Sequence, residues 1–449
     1  MKRLIFQYLI EWMDSSKRKP LLIRGARQVG KTHIIRQLGK KFKYFLEINF
    51  ERTKEIKAIF EENLDPKRIC EQLELVFNQK IIPQQTLLFF DEIQACQEAI
   101  IALRYFYEEM PELHVIAAGS LLDFVIEKIG VPVGRVSFCY MYPMSFIEFL
   151  LATENELFAQ ELLRHTSKEN LIEPLHQKGL KLLSEYMLVG GMPEAVLCWI
   201  TQRNSKSCSE IHHTIIDAYR QDFSKYAKKT QLKYIELLFN RIPTIICEHF
   251  KFSQITPDYQ KRELAPCLDL LIKAGVMQKV IYSASNGIPL GAEANPERFK
   301  LLFLDVALTQ AMLGLEMKEM KDWILQPEKT FHQINKGKMA EAFVGQELLA
   351  YSNFSSQPGL YYWHRLSPGS TAEVDYVLSL QQKIIPIEVK SGRGGTLKSM
   401  HTFLETKESI EMGWRFSTQN YLVYEKIHSF PLYAVAGAIN QTMPATIKI

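Results

Sequence analysis

Two sets of residues in this chain have the types and the spacing that phosphate chemistry requires. The first is the run Gly25-Ala26-Arg27-Gln28-Val29-Gly30-Lys31-Thr32, which matches G-x-x-x-x-G-K-[ST]. Its glycines let backbone N–H groups close around phosphate oxygens without a Cβ in the way. Lys31 can reach the β- and γ-phosphates of a nucleotide, and the Thr32 hydroxyl can ligate Mg²⁺. We therefore predict ATP and Mg²⁺ as cofactors, with residues 25–32 and the adjacent His33 around the nucleotide.

A pair of acids extends this first set. The apolar run 87–90 ends in Asp91 and Glu92. At the end of a strand beside the loop, Asp91 can hold the Mg²⁺ shell and Glu92 can orient the attacking water. A strand that merely ends in solvated carboxylates is the alternative, and a preceding phosphate loop disfavours it. Ser120, after the next apolar run, is predicted to contact the γ-phosphate or the water, although Gly-Ser pairs also form simple turns.

The second set lies in two strand-like runs, 372–378 and 384–391, whose short polar connection predicts a hairpin. Glu388 and Lys390 are two residues apart and so share one face of their strand. We predict that Asp375 faces them across the hairpin. Carboxylate oxygens hold Mg²⁺, and a lysine can orient water or stabilise developing negative charge. Metal-dependent phosphodiester cleavage requires this combination of groups.

Strands must position the first set at one edge of a sheet. Short apolar runs alternate with helical patterns over 21–24, 44–50, 87–92, 114–120 and 135–141. The alternation predicts an α/β fold with a parallel sheet covered on both faces and a site at the carboxyl ends of its strands. We expect a P-loop core over 1–155, a helical lid over 156–230, a winged-helix-like region with a linker over 231–330 and a last domain over 331–449.

Taken together, these motifs resemble a prokaryotic family of AAA-type P-loop ATPases, and the resemblance covers nearly the whole chain. The residues that carry it are Arg24 to Thr32, Phe90-Asp91-Glu92-Ile93-Gln94, Ala118-Gly119-Ser120-Leu121-Leu122, Gly134-Arg135-Val136, Tyr142-Pro143-Met144-Ser145-Phe146 and Gly190-Gly191-Met192-Pro193-Glu194. The resemblance implies an additional-strand P-loop fold and a small helical lid after the fifth strand. It also implies a carboxy-terminal domain of unknown function with a restriction-endonuclease-like core, whose D…E-x-K signature matches Asp375, Glu388 and Lys390.

The resemblance implies three further candidate residues. Arg135 is the candidate for an arginine that completes the site of a neighbouring subunit in a homo-oligomer, and an arginine that satisfies local carbonyls is the alternative. In the predicted helix 337–351, Glu341 resembles the additional acid that many such nucleases carry. Glu347 in the same helix is the second candidate for that role.

The middle of the chain has a helix, helix and strand pattern over 234–247, 257–274 and 275–282, followed by a predicted loop over 283–296. This order is typical of a winged helix, which can place a helix in the major groove of DNA. A basic cluster borders the region at Lys225, Lys228, Lys229 and Lys233. Because charge runs are usually solvated faces, a structural spacer is an equal alternative to a DNA-binding module.

The composition sets limits on the class of protein. A net charge of +4 over 449 residues permits nucleic-acid binding without arguing for it. The seven cysteines form no C-x-x-C pair, which indicates reduced thiols in a cytoplasmic protein rather than disulfides or a zinc site. No run approaches the length of a membrane span, and residues 1–12 predict an amphipathic helix rather than a signal peptide.

Three hypotheses follow. The leading one is a Mg²⁺-dependent ATPase that couples hydrolysis to a DNA-related process through its nuclease-like domain. In the second, nucleotide hydrolysis regulates metal-dependent DNA cleavage at the carboxy-terminal residues. In the third, the protein is a nucleotide-gated switch or scaffold that hydrolyses ATP very slowly and binds a protein partner, and its nuclease-like domain is inactive.

Overall fold

The amino-terminal region contains a parallel five-stranded sheet. The computed structural model describes residues 1–119, 122, 126, 134–314, 336–367, 369, 371–392, 397–407, 409–443, 447 and 449. The sheet consists of β1 (Leu21–Arg24), β2 (Tyr44–Asn49), β3 (Thr86–Asp91), β4 (His114–Ala118) and β5 (Ser137–Tyr140). Its order is β2-β3-β4-β1-β5, and every neighbouring pair is parallel. The five predicted strands are therefore confirmed, and their carboxyl ends share one edge.

Helices cover both faces of this sheet. They are α1 (Ile5–Asp14), α2 (Lys31–Gly39), α3 (Lys57–Glu62), α4 (Pro66–Phe77) and α5 (Gln97–Glu109). Leu21 and Ile23 of β1 pack into the core that contains residues of α1 and α2, whereas Leu22 packs into the core on the opposite face. Because both faces are buried, the strands read as continuous apolar runs rather than as alternating ones. The predicted helix at the start of the chain is confirmed as α1.

A helical region follows β5. It comprises α6 (Phe146–Ala152), α7 (Glu156–Arg164), α8 (Glu173–Val189), α9 (Pro193–Gln202) and α10 (Ser205–Tyr226). A capping box begins α6, in which the Ser145 hydroxyl accepts from the Glu148 backbone N–H and the Glu148 carboxylate accepts from the Ser145 N–H. Gly190, at φ 74°, ends α8 before Pro193 begins α9. Residues 190–192 therefore form the connection between α8 and α9.

The β-hairpin of the middle region is part of a larger sheet and is not an isolated wing. Helices α11 (Lys229–Arg241) and α12 (Lys261–Lys273) precede an antiparallel hairpin of β6 (Met277–Ser283) and β7 (Ala294–Phe303), and α13 (Val306–Met312) follows. β6 also pairs in parallel with β8 of the carboxy-terminal region. The hairpin is thus the edge of a larger sheet. The predicted loop over 283–296 overlaps the first residues of β7, because the apolar pattern of that strand begins only at Phe299.

The second sheet has eight strands in the order β12-β13-β11-β10-β9-β8-β6-β7. The carboxy-terminal elements are α14 (Lys336–Ala350), β8 (Leu360–His364), β9 (Glu373–Leu380), β10 (Lys383–Val389), α15 (Lys398–Thr406), β11 (Gly413–Ser417), β12 (Leu422–Tyr424), β13 (Ile427–Pro431) and α16 (Val435–Thr442). α14 packs against β7 and β10, and α16 packs against α7 of the helical region. The hairpin predicted between residues 372 and 391 is confirmed as the antiparallel pair β9 and β10.

Short 3₁₀ helices connect several elements, at Lys54–Ile56, Ile93–Ala95, Ile242–Ile245, Phe252–Gln254, Leu290–Glu293 and Leu432–Ala434. All seven cysteines are buried as free thiols. Among the helices that the structure describes, none combines the length and the apolar composition needed to cross a membrane.

Candidate functional site

The phosphate loop lies between β1 and α2, and its shape depends on glycine. Gly25 has φ 146°, and a Cβ there would lie 2.2 Å from the backbone oxygen of Met141. Gly30 has φ 100° and precedes the first residue of α2. Because only glycine adopts such conformations freely, these positions fix the loop around the helix amino terminus. The loop is therefore placed where backbone N–H groups and the helix dipole favour phosphate.

Lys31 points into the loop rather than into solvent. Its ammonium donates to the carbonyl oxygens of Gly25 at 2.9 Å and of Ala26 at 2.8 Å. Burial lowers the pKa of Lys31 to about 8, although the charges of Glu92 and Asp91 raise it. The carbonyl oxygens of the loop thus hold the cation at a position from which it can reach phosphate oxygens.

The predicted metal ligands face each other at the carboxyl edge of the sheet. The Thr32 hydroxyl lies 3.3 Å from each carboxylate oxygen of Asp91, and the Asn49 amide donates to Asp91 Oδ2 at 3.1 Å. Burial, and then the charge of Glu92, raise the pKa of Asp91 to about 6. A hydroxyl and a buried carboxylate are hard oxygen ligands, so these residues fit Mg²⁺.

Glu92 follows Asp91 in a left-handed conformation with φ 50°. The Gln94 side-chain amide donates to Glu92 Oε2 at 2.6 Å. Gln94 Oε1 is buried without a partner among the described residues, and a Cβ at Gly119 would lie 2.1 Å from it. A non-glycine residue with positive φ is uncommon and marks a locally constrained backbone. Gln94 was not assigned a role from the sequence, because its contact with Glu92 depends on that unusual backbone.

Residues far away in the sequence hold the phosphate loop from two sides. Arg3 donates to the carbonyl oxygens of Val29 at 2.8 Å and of Tyr142 at 2.7 Å. From α10, Asp222 accepts from Arg27 Nη1 at 2.9 and 2.7 Å. The Tyr219 hydroxyl on the same helix donates to the Arg27 carbonyl at 2.6 Å. No local sequence signal marks these partners, because Arg3 lies 26 positions from Val29, and Asp222 and Tyr219 lie 195 and 192 positions from Arg27.

The middle region also reaches the phosphate loop. Gly275, at φ 73° between α12 and β6, would place a Cβ 3.1 Å from the backbone nitrogen of Ala26. A cavity beside this contact is lined by Gly25, Gly119 and Gln278 among other residues. The turn that begins β6 is therefore in direct contact with the loop.

Of three further predicted residues, two lie away from the loop and one lies outside the residues that the structure describes. His33 is on the exposed side of α2 and contacts Gln37 at 2.9 Å. Arg135 precedes the amino end of β5, whereas the phosphate loop lies at the carboxyl ends of the strands. Its guanidinium donates to Glu108 at 2.7 Å. Arg135 is exposed there. Ser120 lies outside the described residues.

The second predicted set converges at the β9–β10 hairpin. Asp375 Oδ2 accepts from the backbone N–H of Val389 at 2.7 Å, and the Lys390 ammonium contacts Glu388 Oε1. Burial, and then the charge of Asp375, raise the pKa of Glu388 to about 7. Glu388 is 4% exposed, and its Oε2 has no partner among the described residues. The convergence predicted from the spacing is therefore observed.

Lys300 of β7 completes this cluster and was missed from the sequence. It is 1% exposed, and its ammonium contacts Glu341 at 2.9 Å, Asp375 at 4.0 Å and, more closely, Glu373. Burial lowers the pKa of Lys300, but the three carboxylates together raise it well above its ordinary value. His249 contacts Glu373 from the other side at 2.7 Å. The only signal in the sequence is a lysine inside an apolar strand pattern.

The two candidate acids of α14 have different surroundings. Glu341 lies in the cluster, where it pairs with Lys300. Glu347 instead accepts from the Phe146 backbone N–H at 2.9 Å and from the Tyr351 hydroxyl. It therefore joins α14 to the start of α6. Among the described residues, no three His, Cys, Asp or Glu side chains are arranged to hold a metal ion.

Asp375 and Glu388 can still supply two oxygen ligands, since Mg²⁺ keeps several waters and needs only one or two carboxylates. The unpartnered Oε2 of Glu388 is the observation that fits a cation at this position.

Comparisons with known proteins agree with the amino-terminal geometry. Residues 17–150 match a family model described as an AAA domain. Residues 180–319 and 336–444 match two domains of unknown function, DUF8612 and DUF4143. The amino-terminal part of the chain is therefore similar to AAA domains, whereas neither the winged helix nor the restriction-endonuclease-like fold is shown. No curated protein matches the sequence.

Three solved structures are similar to this chain at low sequence identity. The Walker-type ATPase PABY2304 of Pyrococcus abyssi is 15% identical, with 69% of this chain and 94% of that chain covered and a TM-score of 0.43. The S. cerevisiae Hsp104–ADP complex is 14% identical, with coverage of 77% and 43% and a TM-score of 0.26. A STAND protein with a tetratricopeptide repeat sensor from Pyrococcus horikoshii is 12% identical, with coverage of 77% and 48% and the same score of 0.26.

Proposed function

We propose that this AAA-domain protein hydrolyses ATP at the edge of its five-stranded sheet, with Mg²⁺ held by Thr32 and Asp91. The observation that carries the proposal is the contact between the Thr32 hydroxyl and the Asp91 carboxylate, directly beside the loop whose carbonyl oxygens hold Lys31. Phosphoryl transfer depends mainly on positioning and on stabilising charge around the phosphates. These residues supply both at the carboxyl ends of β1 and β3.

Each residue has a separate task in this proposal. Lys31 neutralises charge on the β- and γ-phosphates, and the loop N–H groups orient them. Glu92 accepts a proton from the attacking water, and Gln94 holds its carboxylate in place through the bond at 2.6 Å. Mg²⁺, when bound, neutralises the charge that develops between the phosphates. Gln94 is thus a positioning residue and not a catalytic one.

The test is Mg²⁺-dependent phosphate release from ATP. Lys31→Ala should abolish both release and ATP binding, because the buried cation of the loop is lost. Lys40→Ala is the matched control, since Lys40 is exposed just after the same helix. If Lys31→Ala and Lys40→Ala release phosphate at the same rate, the assignment of the site is wrong.

We further propose that ATP hydrolysis is coupled to a DNA-related process through the carboxy-terminal region. The specific observation in favour is the convergence of Asp375, Glu388 and Lys390 in one cluster, in which Glu388 is buried. Plasmid or branched DNA should be cleaved with Mg²⁺ or Mn²⁺ by the unmodified chain and not by Lys390→Ala. Cleavage that survives this substitution would exclude these residues as its source. With no cleavage by either protein, the hypothesis of a nucleotide-gated switch that binds a protein partner becomes the better one.

DNA binding by the middle region has weaker support. Two lysines of the basic cluster have local partners: Lys225 pairs with Asp222 at 3.1 Å, and Lys233 lies over the ring of Tyr234 at 4.6 Å. Lys228 and Lys229 at the start of α11 are the remaining candidates for phosphate contacts. Substitution of both by alanine should weaken duplex binding and flatten its dependence on salt. An unchanged affinity would favour the structural spacer.

A further inference from the structure

A buried lysine from the middle region lies inside the carboxylate cluster of the carboxy-terminal region. Lys300 is on β7, the last strand of the eight-stranded sheet, and β6 and β8 separate it from β9, which carries Glu373 and Asp375. Its side chain is 2% exposed. A lysine is almost never buried to this extent unless carboxylates compensate its charge. The cluster is therefore assembled from two parts of the chain that the family comparisons treat as separate domains.

The contacts divide the cluster into two halves. In the first half, the Lys300 ammonium contacts Glu341 at 2.9 Å and also contacts Glu373. The second half consists of Asp375 and Glu388. The Lys300 ammonium is 4.0 Å from Asp375, which is beyond hydrogen-bonding distance. Asp375 and Glu388 thus have no ammonium from Lys300 bonded to them, whereas Glu341 and Glu373 do.

We propose that the Lys300 ammonium is the resident cation of the Glu341–Glu373 half, so that a divalent metal can enter the cluster only at Asp375 and Glu388. The ammonium occupies the space and satisfies the carboxylate charge that a metal bound to Glu341 would need. Glu341 is then a partner of Lys300 and not a metal ligand. The site accepts a single metal ion rather than the pair of ions found in two-metal nucleases.

The second half is the part of the cluster that still has a free ligand atom. Glu388 is only 4% exposed, and its Oε2 has no partner among the described residues. The other oxygen, Oε1, is engaged by Lys390. A buried carboxylate oxygen without a partner is costly unless a cation or a proton compensates it. This atom and the adjacent Asp375 carboxylate define the place for one metal ion.

Mn²⁺ binding to the full-length, nucleotide-free protein tests the proposal without relying on ATP hydrolysis or on DNA cleavage. Titration calorimetry gives the number of Mn²⁺ ions bound per chain for the unmodified protein and for Asp375→Asn. Any ion bound at Thr32 and Asp91 is present in both proteins, so the difference between the two numbers counts only the ions that depend on Asp375. We expect one Mn²⁺ per chain that depends on Asp375 and is still bound by Glu341→Gln, because Glu341 contacts Lys300 and not the ion. Two Asp375-dependent ions, none, or loss of binding in Glu341→Gln would each overturn the proposal.

Substitution of Lys300 supplies an independent arm. Lys300→Met keeps much of the side-chain volume but removes the charge, and it should add a second Mn²⁺ site that the further change Glu341→Gln removes again. Lys300→Arg retains a cation and should still bind one ion. A Lys300→Met protein that unfolds at the temperature of the unmodified chain but still binds a single ion would overturn the proposal. If this variant does not fold, the Glu341→Gln titration decides the question alone.

Discussion

Asp222→Asn is expected to weaken ATP binding, although Asp222 is 195 positions from its partner in the phosphate loop. The Asp222 carboxylate accepts twice from Arg27 Nη1, at 2.9 and 2.7 Å. The aspartate side chain is 8% exposed and the arginine side chain 36%. The asparagine keeps the shape and one acceptor oxygen but removes the negative charge. The loop then loses the ion pair that holds Arg27 against α10.

The size of the effect follows from these contacts. A hydrogen bond to a charged group contributes about 1.5–3 kcal/mol when it is protected from water. Because Arg27 is more than a third exposed, solvent screening reduces the contribution to about 1–1.5 kcal/mol. If the pair acts mainly by keeping the loop in its binding conformation, this corresponds to a loss of about tenfold in ATP affinity.

The assay is equilibrium binding of ATP with Mg²⁺, measured by calorimetry alongside the thermal unfolding temperature. Asp217→Asn is the matched control, because Asp217 is on the same helix, is 62% exposed and pairs with Arg220 at 3.0 Å. We expect the control to bind ATP as the unmodified protein does. If Asp222→Asn and Asp217→Asn bind ATP equally tightly, α10 does not hold the phosphate loop and the reasoning fails.

Two further predictions concern the loop and the pH dependence of folding. Gly25→Ala should lower ATP affinity by more than about tenfold, because the new Cβ would meet the immobile backbone oxygen of Met141 at 2.2 Å; binding within twofold of the unmodified protein would contradict this. Burial raises the pKa of Glu347 to about 8, above its unfolded value, so its contribution to stability is present at low pH and is lost as the pH rises through 8. Glu347→Gln should therefore lose less stability than the unmodified chain between about pH 6 and pH 9, by about 1 kcal/mol or more, in urea unfolding at each pH. Equal losses would show that Glu347 is already ionised at the lower pH.

The sequence predicted those parts of the fold that depend on local patterns. The apolar runs that became β1 to β5 are continuous because both faces of the sheet are buried, and that pattern is visible without any structure. The positions of Asp91 and Glu92 follow from the shared edge of parallel strands. The two-residue spacing of Glu388 and Lys390 likewise gave their common face, since side chains alternate along a strand.

Contacts between distant segments could not be predicted in this way. Lys300 and Glu341 are 41 positions apart and meet only because β7 joins the carboxy-terminal sheet beneath α14. Arg3 reaches the carbonyl of Val29 from a segment that the sequence indicated only as an amphipathic helix. Both contacts depend on tertiary packing, for which one sequence contains no periodic signal.

The central claim is that Glu92 activates water for ATP hydrolysis, and the most direct test compares turnover and binding in Glu92→Gln. The glutamine keeps the size of the side chain but cannot accept the proton, so kcat should fall by about a hundredfold or more while the Kd for ATP stays within about threefold. Glu109→Gln, at the exposed end of α5, should leave both values unchanged. A Glu92→Gln protein that binds ATP and hydrolyses it at the unmodified rate would contradict the account.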